Sequence, residues 1–196
     1  MTDDHTRLIF LLETVEKEGR HLMGTTARLF TETIDAAWAQ RLEDRPELAE
    51  RVDAFVVRFG RMQDTIGDRL IPELRRCLLE TPGAALDNLN RMEKLGLLSS
   101  VTDWMEARAL RNRLVHEYVR DEEFAAALCR ARELVPLLIR TYNALNNYAK
   151  ARFGQSMQSW PPPLSEQHES PDHAKIRLVQ ILNSNAHTRG SLSGNR

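Results

Sequence analysis

Arg111, Asn112, His116 and Tyr118 fall within about two helical turns of one another in the stretch Arg108-Ala109-Leu110-Arg111-Asn112-Arg113-Leu114-Val115-His116-Glu117-Tyr118-Val119. The Arg111 guanidinium keeps its charge at any working pH and presents a planar fork of donors suited to a phosphate. His116 can take up or release a proton near neutral pH. A fixed cation beside a proton carrier is a pairing suited to acid–base chemistry at a phosphate.

On a straight helix Arg111 and Tyr118 share nearly one face, whereas His116 points about 140° away from Arg111. Two arrangements unite them: the helix distorts or ends near His116, or a second copy is placed across a two-fold axis, which doubles Arg111 and His116 in one cleft. Each residue also has an ordinary reading. Arg111 and Arg113 suit a solvated helix face, Arg113 and Glu117 form an i, i+4 pair, and Tyr118 can pack beyond Leu114 with its hydroxyl at the edge.

The pattern R-x-x-x-x-H-x-Y, with Asn112 directly after Arg111, resembles the motif of the HEPN ribonuclease toxins, which are partnered by minimal nucleotidyltransferase (MNT) antitoxins. The resemblance covers roughly residues 52–152. It implies an all-α, up-and-down bundle of four to five helices, active as a homodimer whose paired motifs line one cleft. It further implies a toxin of a type VII-like pair that cuts RNA as a metal-independent endoribonuclease. Arg111, Asn112 and His116 would be catalytic, Tyr118 a candidate for adenylylation by the cognate MNT antitoxin, and Arg108, Arg113 and Arg120 RNA-binding. The competing class is a non-catalytic HEPN-like helical subunit that binds substrate for, or regulates, a nucleotidyltransferase partner. A helical scaffold with a merely charged face is the third.

The rest of the chain must position these groups. Its 196 residues are 42% hydrophobic with a formal charge of -1, enough for one core and too balanced for a global positive field. Any RNA contact therefore depends on a local basic patch. The acidic, polar N-terminus and the short apolar run Leu8–Leu12 suggest no signal or membrane span and a cytoplasmic protein. Cys77 and Cys129 read as isolated small hydrophobes. The six histidines form neither H-x-x-x-H nor H-E-x-x-H, and no phosphate-binding glycine loop or nucleophile elbow occurs, so no metal site and no cofactor is expected.

From about Thr6 to Arg152, Ala, Leu, Glu and Arg dominate with helical spacing. One helical region is expected over about Asp4–Arg41, with an apolar stripe of Leu8, Leu11, Leu12, Val15, Leu22, Leu29, Phe30, Ile34 and Trp38, bent or interrupted at Gly19 or Gly24. Asp44-Arg45-Pro46-Glu47 reads as a capped start of a second helix that reaches Leu78. In it Gly60 and Gly67, seven apart on one face, would admit another helix closely. A short helix over about Ala84–Leu95 should end at Gly96. Ser99–Asp103 offers caps for the motif helix, and a last helix should run from about Asp121 to Phe153 with a kink at Pro136. The helical domain is thus placed at 1–154. Residues 155–196 read as a largely irregular tail: a linker around Trp160-Pro161-Pro162-Pro163, one short amphipathic piece at Ala174–Leu182, and a disordered end, together contributing little to folding.

Overall fold

The computed structural model describes residues 3–116, 120–154 and 159–165, with the side chains of residues 3, 4 and 116 excepted. The chain divides into a compact unit, Met1–Glu166, and a second unit, Gln167–Arg196, that lies outside the described residues, as does the piece expected at Ala174–Leu182. The described structure is all helical: α1 (Asp3–Leu29), α2 (Ala36–Gln40), α3 (Pro46–Asp64), a π-helical stretch (Thr65–Leu70), α4 (Ile71–Cys77), α5 (Ala85–Lys94), α6 (Val101–His116) and α7 (Asp121–Phe153).

Side-chain pairs give the directions. Arg58 reaches Thr25 while Thr65 donates to Glu18, so α1 and α3 run antiparallel. Arg130 clamps Glu106 while Arg113 meets Glu123, which makes α6 and α7 antiparallel as well. The result is an up-and-down bundle with a core of Leu12, Phe55, Phe59, Trp104, Leu138 and Tyr142.

The expected first helical region is broken. The helix stops at Leu29, and α2 starts afresh with Asp35 as its cap, whose carboxylate accepts the Trp38 backbone N–H at 2.7 Å. Thr31, Thr33 and Ile34 are β-branched and hold a helix poorly, and a following Asp can satisfy a new helix start instead. Gly19 and Gly24, by contrast, do not interrupt α1. The cap expected at Asp44 is also corrected. Arg45 occupies the N-cap of α3 without a side-chain hydrogen bond, and Pro46 takes the first helical position.

Between α3 and α4 the helix widens into a π turn, with the Ile71 N–H donating to the Ile66 carbonyl. Pro72, just beyond, has no N–H for the carbonyl four residues back, and its ring crowds that carbonyl. A wider turn relieves both conflicts, and such turns frequently mark functional positions. The Gly96 cap is present with φ +71°, and the Ser100 hydroxyl caps α6 by accepting the Asp103 N–H at 3.0 Å.

Residues 159–165 are not a linker. The Tyr142 hydroxyl donates to the Pro162 carbonyl at 3.0 Å and the Asn146 amide to the Pro161 carbonyl at 3.0 Å, while Trp160 Nε1 donates back to Asn146. Asn143 both donates to the Leu164 carbonyl and accepts its N–H, each at 2.8 Å. Proline-rich chain stays extended with its carbonyls unpaired, and α7 supplies the amides and hydroxyl that satisfy them. Leu164 is buried and rests on Gly19 of α1. Burial holds the Tyr142 phenol well above its ordinary range, so it remains a donor to the strap.

Candidate functional site

The motif helix is brought to α3 by two matched spacings of seven. A Cβ on Gly60 would sit 2.8 Å from Arg111 Cγ, and one on Gly67 would sit 3.4 Å from the Trp104 ring. Gly60 to Gly67 and Arg111 to Trp104 are therefore the same step taken in opposite directions on antiparallel helices. The close approach expected at these glycines is present, and α6 is what they admit. The buried Gln63 amide fixes the register by donating to the Trp104 carbonyl at 3.0 Å.

Arg111 lies flat over Gly60 as a consequence. One terminal nitrogen donates to Asp64 at 2.8 Å and the other to the Asn112 side-chain oxygen at 2.9 Å. The side chain keeps 33% of its exposure, so its remaining N–H groups are available from solvent. Asn112 thus acts on the guanidinium itself.

Arg111 opens onto a groove of about 680 Å³ between α6 and the α3–π edge. Its two ends differ. Val56, Val57 and Val115 form an apolar end near the terminus of α6, and Val57 and Val115 are about half exposed. Arg61, Asp64, Thr65, Asp68, Arg69 and Arg108 form a charged end. Arg108 meets Asp68 at 3.4 Å, whereas Arg61 and Arg69 are exposed and make no ion pair among the described residues. With Arg111, four arginines face two aspartates, a locally basic groove on a chain of formal charge -1.

Glu18 of α1 lies behind this edge. One oxygen accepts from Thr65 at 3.1 Å, and the other is buried without a partner among the described residues. Burial raises its pKa above the usual carboxylate range, opposed by the Thr65 hydrogen bond and by the charges of Arg61 and Arg69.

The other expected site residues are distributed as follows. His116 is the last residue of α6; its side chain, and all of Glu117, Tyr118 and Val119, lie outside the described residues. Arg113 faces away from the groove and pairs with Glu123 on α7 at 3.1 Å, which gives it a role in holding α6 to α7. Arg120 is exposed at the N-cap of α7. Of the three arginines expected to bind RNA, only Arg108 lines the groove.

Sequence reasoning missed Asp64, Arg61 and Arg69, which stand on a different helix from the motif. The available signal was the seven-residue step shared by Gly60/Gly67 and Trp104/Arg111, which places Asp64 one turn from Arg111 once the helices are antiparallel. Among the described residues no three His, Cys, Asp or Glu side chains gather as a metal site needs, and no helix is long and apolar enough to cross a membrane. Compared with protein-family models, with curated proteins and with solved structures, the chain matches none.

Proposed function

We propose that the chain is the ribonuclease half of a HEPN/MNT toxin–antitoxin pair, a metal-independent endoribonuclease that acts as a homodimer. The observation that carries the reading is Arg111, laid across Gly60 at the mouth of a basic groove and held there by Asp64 and Asn112, five residues before His116. In this scheme His116 from one copy removes the proton of the ribose 2′-OH, whose oxygen attacks phosphorus. The 5′-oxygen leaves with a proton from the paired His116, and a 2′,3′-cyclic phosphate remains. Arg111 stabilises the charge on the phosphorane. Half-exposed Val57 and Val115, beside the end of α6, suit the second copy that brings the two motifs together. Tyr118 would be the acceptor of the nucleotidyl group from the cognate MNT antitoxin.

One observation favours a second reading, a non-catalytic helical subunit serving a nucleotidyltransferase: the charge of Arg111 is already met by Asp64. The two readings separate at His116. Purified protein should cut single-stranded RNA in EDTA, and His116→Ala should lower the rate about 10²–10⁴-fold with an unchanged circular dichroism melt. A His116→Ala chain that cuts as fast as its parent leaves only the subunit reading.

A further inference from the structure

We propose that Arg61 and Arg69 form a phosphate track for single-stranded RNA along the α3–π edge of the groove, a binding site separate from the Arg111–His116 motif. The proposal rests on the nuclease reading of the same groove and names what it holds. The arginines of α6 are committed: Arg108 to Asp68, Arg111 to Asp64 and Arg113 to Glu123. Arg61 and Arg69 line the same groove, are exposed, and have no carboxylate within ion-pair distance among the described residues. Glu18, whose charge they feel, is turned into the α1–α3 interface, where it accepts from Thr65 and pairs with neither.

Spacing and lining identify the ligand. Eight residues, partly through the π turn, separate the pair by about 10–12 Å along the axis, which suits contacts with more than one phosphate of an extended strand. Guanidinium forks bind phosphate oxygens in bidentate fashion. Between the two arginines the groove is lined by Asp64, Thr65 and Asp68, the aspartates being engaged by Arg111 and Arg108, and among the described residues no aromatic ring lines the groove on which a base could stack. Binding is therefore through the backbone, and discrimination among sequences is weak. The wide π turn ahead of Pro72 carries Arg69 along this edge, which gives it a use beyond relieving the proline.

The test uses the full-length chain with His116→Ala, so that RNA survives the measurement, and follows the anisotropy of short fluorescein-labelled single-stranded RNAs of two unrelated sequences against KCl. Replacing both residues (Arg61→Gln with Arg69→Gln) should weaken both RNAs at least tenfold. It should also reduce the slope of log K against log salt by about 1.4, roughly 0.7 for each phosphate that is no longer neutralised. Arg140→Gln, an exposed arginine outside the groove, should change neither. In chains that retain His116, the double variant should raise KM for RNA and leave kcat within about twofold.

A double variant that binds with the parental affinity and slope overturns the proposal, as does a parent that binds polyglutamate more tightly than RNA or binds RNA not at all. If the double variant loses RNA while His116→Ala still cuts at the parental rate, the track stands and the nuclease assignment of His116 falls.

Discussion

Two glycines on neighbouring helices do the same physical thing with opposite results. At Gly19 the missing Cβ lets Leu164 of the strap lie against α1, and at Gly60 it lets Arg111 of the motif helix lie against α3. Leu164 is 4% exposed and closes the molecule, with its backbone satisfied by Asn143. Arg111 retains a third of its surface and opens a groove, with its charge shared between Asp64 and Asn112. Neither glycine interrupts its helix. The difference lies in what arrives: an apolar side chain gains by leaving water, whereas a guanidinium holds its place at a surface only through acceptors.

That contrast is broken most forcefully at the strap. Ending the chain after Gly154, or substituting Leu164→Ala alone, removes a buried leucine and should cost about 2–5 kcal/mol, a fall in Tm of roughly 4–20 °C for a chain of this size. A thermal melt within about 1 °C of the parent would return residues 159–165 to the status of a linker. The paired substitution at the glycines comes next. Gly19→Ala drives a methyl into Leu164 and should destabilise by about 1–3 kcal/mol. Gly60→Ala meets Arg111 at Cγ, close to the α6 backbone, and the better helix propensity of alanine, about 1 kcal/mol, offsets only part of the displacement, so Tm should fall less than for Gly19→Ala while RNA cleavage falls. Equal losses of stability at both glycines would mean that Arg111 is as much a structural member as Leu164.

The smallest effect lies between the two regions, at Glu18, next to Gly19 in the chain and hydrogen-bonded by groove-lining Thr65. Its folded-state pKa is raised by burial, so the folded chain holds this proton more tightly than the unfolded one. Stability linked to it is full below the ordinary carboxylate range and is lost as pH rises through the raised value. Glu18→Gln keeps an oxygen for Thr65 and removes the buried charge. It should stabilise the protein modestly at pH 7 and hardly at all at pH 4, read from urea midpoints at the two values. A variant equally stabilised at both would assign the gain to packing instead.

Much of the bundle was legible because apolar residues at helical spacing report burial without reference to any partner. The burial of the stripe from Leu8 to Leu29, the glycine step from Gly60 to Gly67 and the Gly96 cap are found in place, whereas Ile34 and Trp38 are buried from beyond a break that ends α1 at Leu29. What failed to show were features whose satisfaction comes from far along the chain. Trp160 to Leu164 lacks both helical and strand periodicity and reads as linker, since its carbonyls are met by Tyr142 and Asn146 only after α7 has formed. The π turn was written locally, in Pro72, but only as a conflict; how the helix would resolve it was not.

The amino-acid sequence by itself determined an all-helical chain and the placing of Arg111, Asn112 and His116 on one late helix, because helix propensity and apolar period are local properties. The tertiary structure decided which arginines are neutralised and which stand open. Arg108, Arg111 and Arg113 carry the same charge within one stretch of chain, yet Asp68 and Asp64 on the α3–π edge and Glu123 on α7 engage them, while Arg61 and Arg69 meet no carboxylate among the described residues along the groove. Ion pairing depends on which helix faces which and in what direction, and only packing settles that.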